Sequence, residues 1–540
     1  MSSAWARLIT ILLAAVPLLS SDLGQRILAT NDEARFGVLA QDILARHDWL
    51  HPMLNGSAYS NKPPLQAWLI AAASWFRGDV TQLTAVVPSA VAALVATMIV
   101  WALGSELFGT DAARAAALAF ITMQGVFLHA RLPLPDMLMT ALIGASLWMY
   151  VVALRRGGAL RWASFYALVG AAFWAKGPAG LLPLLVVVVS ALHRFGRGWW
   201  RQVWLPAGLP VLLLVVAPWY VMSFLADRAA LDHAIVFDQV GWYAPSSLDF
   251  ASVAGPLQNL VSALFPWILV LPFVIAQALR AARGRGAERD SVIFLLIWSL
   301  VTVLAVAISR HQRMRYYVPA ALPVALLIGW WYAGAVVKRR EQQPVRWSLY
   351  ATLAAFLTVL TLVVSVARPR WQDEARLLLP GSAVEAACLL VALALMVGGL
   401  LFGVRWKRLA GGFAVAWMGA ALLLGAGYHW ALERRNAAYD YPRIYAVAEP
   451  HLHDVGELRV WGTPTLPLAL YFQRPVVDLS VDKPLPPLPP GHALTMTVAK
   501  ASLLEHSPVP GMVVVHRGPL GSTRVTIVMQ SAPGSADPAR

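Results

Sequence analysis

Apolar runs close to the thickness of a bilayer alternate with short polar loops along most of this chain. About thirteen of them meet the roughly 20-residue criterion for a helix that crosses hydrocarbon. They lie at 7–21, 83–104, 112–130, 137–154, 162–175, 177–193, 203–225, 258–279, 291–308, 316–337, 347–367, 383–404 and 409–428. Lys176-Gly177-Pro178 divides the fifth from the sixth within a nearly continuous run. The first long polar interruption is the 22–82 loop, and its informative part runs from Asn31 to Trp68. It opens with Asp32, Glu33 and Arg35, and Phe36, Leu39, Ile43 and Leu44 then fall on one helical face. It closes on Asn61-Lys62-Pro63-Pro64, where the prolines limit helix before them and permit one to start at them. Lys62 is therefore expected at the mouth of the next helix, on the same side as Asp32 and Arg35.

After residue 428 the pattern changes. No span-length run remains. Short β-like runs follow at Glu457–Gly462, Pro475–Leu479, Ala493–Val498, Met512–Arg517 and Thr523–Met529, with a helical run near Tyr441–His451 and a proline-rich loop at 484–490. This predicts a membrane domain over 1–428 and a small α/β domain over 429–540, with a disordered end at Ser531–Arg540. No internal repeat is evident.

Composition agrees with the pattern. The chain has 540 residues, 59% hydrophobic and 13% charged, against about 25% charged in ordinary soluble domains. Met1–Ser20 has the length of a signal peptide but no convincing small-residue cleavage site, and is read as a retained first span. The formal charge of +15 does not point to nucleic acid, because the excess sits in short loops between apolar runs. Alternate loops hold it: Arg155, Arg156 and Arg161; Arg194, Arg197 and Arg201; Arg280, Arg283, Arg285 and Arg289; Lys338, Arg339, Arg340 and Arg346; Arg405, Lys407 and Arg408. The positive-inside rule makes these cytoplasmic, so the 22–82 loop, the 131–136 turn, the 226–257 loop, the 309–315 turn and the tail all fall outside. The lone cysteine, Cys388, lies in an apolar run and reads as a small core residue.

Some charges remain that composition does not explain. Arg131 and Asp136 flank Pro133 and Pro135 in the turn between the third and fourth runs. Charge beside hydrophobic spans is costly unless it faces a cavity. Lys176 interrupts two apolar runs, and Arg313 and Arg315 stand in an outer turn that should be poor in positive charge. Each has a bland account, as an interfacial turn, a snorkelling lysine or a solvated helix start. His47 and His51, four apart, form a weak metal pattern because of Pro52, and His451 with His453 a weaker one. No metal site is expected.

The ordered set resembles a family. Asp32, Arg35, Asp48-Trp49, Leu54-Asn55-Gly56, Tyr59 and Lys62-Pro63-Pro64-Leu65 are similar to the first extracytoplasmic loop of polyprenol-phosphate-dependent glycosyltransferases of the GT-C fold. The likeness is greater to bacterial aminoarabinose transferases and their protein O-mannosyltransferase relatives. Asp136, Lys176-Gly177-Pro178 and the basic segment before Tyr316 and Pro319 also resemble that family's elements. Phe36 replaces a usual tyrosine, Asn61 replaces a common acid, and Phe237–Tyr243 lacks the expected arginine.

The resemblance implies a polytopic α-helical membrane protein of GT-C fold, with about thirteen transmembrane helices and a C-terminal α/β extracytoplasmic domain. It implies a bacterial inner-membrane enzyme, expected as a monomer, with its site on the outer face. The donor would be a sugar on undecaprenyl phosphate, 4-amino-4-deoxy-L-arabinose being one candidate, and the acceptor lipid A or another envelope molecule. Asp32, Asp136 and Glu33 are the candidate catalytic acids. Arg35, Lys62, Arg313, Arg315, Tyr316, Lys176 and Tyr59 are the candidate phosphate and donor ligands. Which arginine of the 309–315 turn points inward stays open, as does which aspartate orients or deprotonates the acceptor. The transfer would be inverting and need no cofactor. Protein O-mannosylation or transfer to another glycan is the nearest alternative. A lipid-linked-sugar transporter is less favoured, because repeats and mid-membrane charges are not clear. An inactive scaffold is the third reading.

Overall fold

The computed structural model describes residues 2–236, 250–309, 312–336, 380–405, 409–448, 457–461, 465–473, 476–478, 492–497, 512–520 and 523–530. Phe237–Tyr243, Arg310 and His311, the 347–367 run, the loop from Lys338 to Arg346, Lys407 with Arg408, His451 with His453, and Ser531–Arg540 lie outside the described residues.

Helix α1 (Ser2–Ser20) leads into α2 (Asn31–Arg46), a short hairpin of β1 (Met53–Leu54) and β2 (Ser57–Ala58), and α3 (Leu65–Ser74). Then come α4 (Gln82–Phe108), α5 (Thr110–Ile121), α6 (Gln124–His129), α7 (Asp136–Arg156), α8 (Ala159–Lys176), α9 (Leu182–Phe195) and α10 (Trp199–Gln202). They are followed by α11 (Leu205–Ala226), α12 (Arg228–His233), α13 (Phe250–Leu264), α14 (Leu271–Arg283), α15 (Arg289–Ala307) and α16 (Ala321–Val336). The described chain resumes with α17 (Ala383–Arg405) and α18 (Leu409–Ala438).

Among the described residues, eight helical stretches are long and apolar enough to cross a membrane, so the chain is a polytopic helical membrane protein. The expected thirteen are not reached there, and helix breaks account for part of the difference. The runs at 162–175 and 177–193 form one stretch, α8 and α9, around a 3₁₀ turn at Gly177–Leu181. The run at 112–130 breaks at Thr122-Met123, and the run at 258–279 breaks around Trp267. These two breaks face each other. The Gln124 N–H donates to the Phe265 carbonyl at 2.7 Å, and the Trp267 indole N–H to the Thr122 hydroxyl at 2.9 Å. Groups freed from one helix thus find partners in the other, which is what permits broken helices at membrane depth. Small residues allow close packing elsewhere. A Cβ on Gly329 would stand 2.3 Å from the Ala112 carbonyl oxygen, and one on Gly419 2.4 Å from the Met396 nitrogen.

Past α18 come α19 (Tyr441–Ala448), β3 (Glu457–Trp461), α20 (Thr465–Phe472), β4 (Val476–Asp478), β5 (His492–Thr497), β6 (Met512–Leu520) and β7 (Thr523–Gln530). The strands form a mixed sheet in the order β4-β3-β5-β7-β6, with β3 parallel to β4 and β5 and the other pairs antiparallel. Helix α20 supplies the crossover between parallel β3 and β4. Helix α18 does not stop at Tyr428 but continues to Ala438.

The tail is not a separate appendage. Phe36 and Ile43 of α2, Ile70 of α3, Tyr441 of α19 and Leu466 and Phe472 of α20 share one hydrophobic core. Side chain–backbone bonds lock the contact: Leu466 N–H donates to Asn31 Oδ1 at 3.0 Å, and Gln41 Nε2 to the Leu470 carbonyl at 3.0 Å. The 22–82 loop is thereby clamped between membrane helices and tail, and it carries the first residues of the site.

Candidate active site

Four separate segments converge on one charged cluster. The first is the start of α2. Thr30 is its N-cap, and the capping box with Glu33 fixes the first turn, which places Asp32 at the helix's positive end. Asp32 faces three guanidiniums: Arg35 at 3.2 Å, Arg313 at 3.3 Å and Arg315 at 3.0 Å. Burial pushes its carboxyl up, but Arg315, then Arg35 and Arg313, outweigh that and hold it below the usual carboxylate range.

The second segment is the start of α7. Pro135 is its N-cap residue, so the helix opens with Asp136, which is 1% exposed. Asp136 forms an ion pair with Lys176 and lies in the field of Arg315 and His129. The third is the end of α8. Lys176 is its last residue, and Gly177 adopts φ +75°, where a side chain would be strained. The Lys176 ammonium sits 4.4 Å from the centre of the Tyr316 ring, a cation–π contact. The fourth is the 3₁₀ turn Met314–Ala320, which presents Arg315 and Tyr316. Gln312 anchors it: its Nε2 donates to the Ser309 carbonyl at 2.6 Å, and its Oε1 accepts from Tyr317 Oη at 2.9 Å.

Lys62 completes the cluster. Pro63 packs beside Gly177, since a Cβ there would meet Pro63 Cδ at 3.7 Å. The Lys62 ammonium has no hydrogen bond or ion pair among the described residues, although it keeps some open surface. Burial, with Lys176, Arg35 and Arg315 nearby and only Asp136 opposing, pulls its pKa down to about 7. Such crowding of like charges is costly in the unliganded protein. Among the described residues, Arg35, Lys62, Lys176, Arg313 and Arg315 thus meet only two carboxylates, Asp32 and Asp136, which leaves an excess of positive charge there.

Of the residues expected from sequence, Asp32, Arg35, Lys62, Asp136, Lys176, Arg315 and Tyr316 come together. Between the two arginines of the turn, Arg315 is the inner one, at 14% side-chain exposure, and Arg313 the outer, at 60%. Glu33 points elsewhere. Its oxygens accept from Arg26 at 2.6 Å, Arg435 at 2.7 Å and the backbone N–H of Ala29 and Thr30 at 2.9 and 3.3 Å. Every lone-pair direction is thus engaged, so the carboxylate is a brace between the 22–82 loop and α18. Tyr59 lines a different recess, with Arg46, His51, Trp219 and Ser223. His47 is the left-handed C-cap of α2 and His51 pairs with Asp48 at 3.2 Å. Among the described residues, no group of three or more His, Cys, Asp or Glu is placed to hold a metal ion.

Sequence reasoning missed the roles of His129, Gln312, Arg26 and Arg435. His129 precedes the turn that carries Asp136, and its Nδ1 lies 2.7 Å from the Gly125 carbonyl oxygen. A polar residue within an apolar run was the only available signal for it.

Comparison with known proteins bears on the fold and family. A profile of the dolichyl-phosphate-mannose-protein mannosyltransferase family matches residues 61–222. The undecaprenyl phosphate-alpha-4-amino-4-deoxy-L-arabinose arabinosyl transferase of Serratia proteamaculans is 25% identical over 374 residues, covering 67% of this chain and 65% of that protein. A protein of the same description from Pseudomonas fluorescens Pf-5 is 28% identical over 348 residues, 62% of this chain and 59% of its own length. The chain therefore spans less than two thirds of the length of these curated relatives. The crystal structure of ArnT from Cupriavidus metallidurans bound to undecaprenyl phosphate superposes with a TM-score of 0.75 at 18% identity, covering 99% of this chain and 100% of that one. The archaeal oligosaccharyltransferase AglB from Archaeoglobus fulgidus matches at 0.51 and 14% identity, over 88% of this chain and 64% of that one. The chain has the GT-C fold of these proteins and resembles the aminoarabinose transferases among polyprenol-phosphate glycosyltransferases.

Proposed function

We propose that this protein is an integral-membrane glycosyltransferase that moves a sugar from undecaprenyl phosphate to lipid A or a related envelope acceptor. Its relatives' descriptions make 4-amino-4-deoxy-L-arabinose the first sugar to test. One observation carries the reading: among the described residues, Lys62 has no ion pair and stands among Arg35, Lys176 and Arg315 where cations outnumber carboxylates. A lipid-linked phosphate supplies the missing charge.

In the proposed reaction the bond between the anomeric carbon and the donor phosphate oxygen breaks, and its electron pair stays on that oxygen. A new bond forms from the anomeric carbon to the acceptor oxygen. Lys62, Arg35 and Arg315 stabilise the dianion that leaves, and these fixed cations supply the electrophilic assistance without a metal. Tyr316 holds Lys176 in place through its ring. Asp32 is a poor base while three guanidiniums surround it, and Asp136 is tied to Lys176. This favours an acceptor that is already anionic, such as a phosphate, with the aspartates orienting sugar and cations. A hydroxyl acceptor, as in protein O-mannosylation, is the second reading, favoured by the family profile over residues 61–222.

The cluster is proposed to face the periplasm of a bacterial inner membrane, with the tail on the same side and the protein acting as a monomer. The basic loops at the opposite helix ends support that orientation. The test is mass spectrometry of lipid A, envelope glycoproteins and polyprenyl-phosphate sugars from cells with and without the protein. Loss of a sugar from lipid A, with build-up of its polyprenyl-phosphate form, is expected. A change in glycoproteins alone selects the second reading, and no change in any class defeats both.

A further inference from the structure

Helix α7 begins at Asp136 in the acid–base cluster and ends at Arg156. At a rise of about 1.5 Å per residue its ends lie roughly 30 Å apart, a bilayer's thickness. At the far end, the ends of α4, α7, α9 and α15 enclose a cavity of about 450 Å³. Its wall is of two kinds. Leu107, Val151, Leu154, Ile293, Phe294 and Ile297 are apolar, while Arg155, Arg194, Arg289 and His193 are basic.

The charges there do not balance. Arg155 and Arg156 share one acid, Glu106, at 3.3 and 2.7 Å, and Arg289 reaches Asp290 at 3.4 Å. Arg194 has no ion pair among the described residues, and its guanidinium lies 5.4 Å from the centre of the Phe195 ring. Among the described residues, Arg155, Arg194 and Arg289 therefore line the cavity with one carboxylate, Asp290. A positive-inside bias alone calls for exposed cations in loops. It does not call for a recess between helices lined by cations and apolar side chains together.

We propose that this cavity binds the phosphate-bearing headgroup of an anionic phospholipid, with its acyl chains along the apolar residues. Charge complementarity selects the headgroup, and the position at the helix ends matches the depth of lipid phosphates. Basic pockets between transmembrane helices recognise such headgroups by the same combination. The lipid joins the end of α9 to the start of α15 by neutralising Arg194 and Arg289 together. It takes no part in the transfer chemistry at the other end of α7.

Native mass spectrometry of the full-length protein, extracted in detergent and titrated with phosphatidylglycerol or phosphatidylcholine, tests the site. The double variant Arg194→Gln, Arg289→Gln should bind phosphatidylglycerol about tenfold or more weakly. Arg194→Gln alone should show a smaller loss in the same direction, and Arg197→Gln, which lies outside the cavity, should bind like the unaltered protein. All three side chains are exposed, so a monodisperse elution profile is expected of each. Equal binding of phosphatidylglycerol by the double variant and the unaltered protein would overturn the proposal. So would equal binding of phosphatidylcholine, which would leave only apolar adsorption. If inorganic phosphate raises the thermal midpoint as far as phosphatidylglycerol does and displaces it, the cavity is a small-anion site and the lipid assignment fails.

Discussion

Asp32 and Glu33 are neighbours on one helix, yet they belong to two charge clusters with opposite bookkeeping. Glu33 is 6% exposed and meets two arginines and two backbone N–H groups, with nothing left over. Arg26 and Arg435 hold its carboxyl below the usual range against the upward push of burial. Asp32 lies at the edge of a cluster with surplus positive charge, and Lys62 in that cluster lacks an ion pair among the described residues. The saturated cluster joins the 22–82 loop to α18. The unsaturated one is open to a ligand. Local sequence cannot separate two adjacent acids, but counting donors against acceptors around each does.

The comparison breaks first at Lys62. Lys62→Ala is expected to reduce transfer by about 10²–10³-fold or more, the usual loss when a donor to the developing anion is removed. Undecaprenyl phosphate binding to the purified protein should weaken by about tenfold or more. Unchanged affinity together with unchanged transfer would leave Lys62 an interfacial anchor. The aspartates come next. Asp32→Asn and Asp136→Asn should each lower turnover by about 10–10³-fold at normal membrane abundance, through misplaced cations. If turnover with a hydroxyl acceptor falls much further than with a phosphate acceptor, one of them is a base.

Glu33→Gln sharpens the contrast from the other side. Removing the charge strands Arg26 and Arg435, and breaking a buried, hydrogen-bonded ion cluster costs about 3–5 kcal/mol. The thermal midpoint should fall clearly, while turnover per folded molecule stays within about twofold, well below a general acid–base effect. A catalytic role would reverse that pattern, with a normal midpoint and lost turnover.

Much of the cluster was legible because charge is conspicuous in an apolar chain. Lys62, Asp136, Lys176 and Arg315 each break a run or crowd a turn, and membrane placement forces such residues toward one another or toward water. The partners of Glu33 were not legible. Arg435 is 402 positions away and looks like an ordinary basic residue after a span. The union of the 22–82 loop with the tail was hidden for the same reason, since α2 reads only as an amphipathic segment and Leu470, which accepts from Gln41, lies 429 positions away. The breaks at Thr122 and around Trp267 were hidden because hydropathy averages over them, and only their pairing across the bundle makes either tolerable.

The smallest expected effect concerns pH. The Lys62 ammonium, drawn to about 7 by burial and by Lys176, Arg35 and Arg315, is charged below that value and increasingly neutral above it. A phosphate ligand favours the charged form, so undecaprenyl phosphate affinity should be flat or maximal near neutrality. It should then fall as pH rises from 7 to about 9, by up to roughly tenfold per unit where proton uptake accompanies binding. Bound phosphate raises the lysine's pKa, so at saturating donor the fall in turnover should begin at higher pH. Lys62→Arg keeps its charge throughout this range, because a guanidinium does not titrate there. Its affinity should be nearly independent of pH between 7 and 9, even if the geometry at the leaving oxygen is poorer and turnover low. An alkaline fall that persists unchanged in Lys62→Arg would assign the titration to another group and remove Lys62 as the phosphate's proton-linked partner.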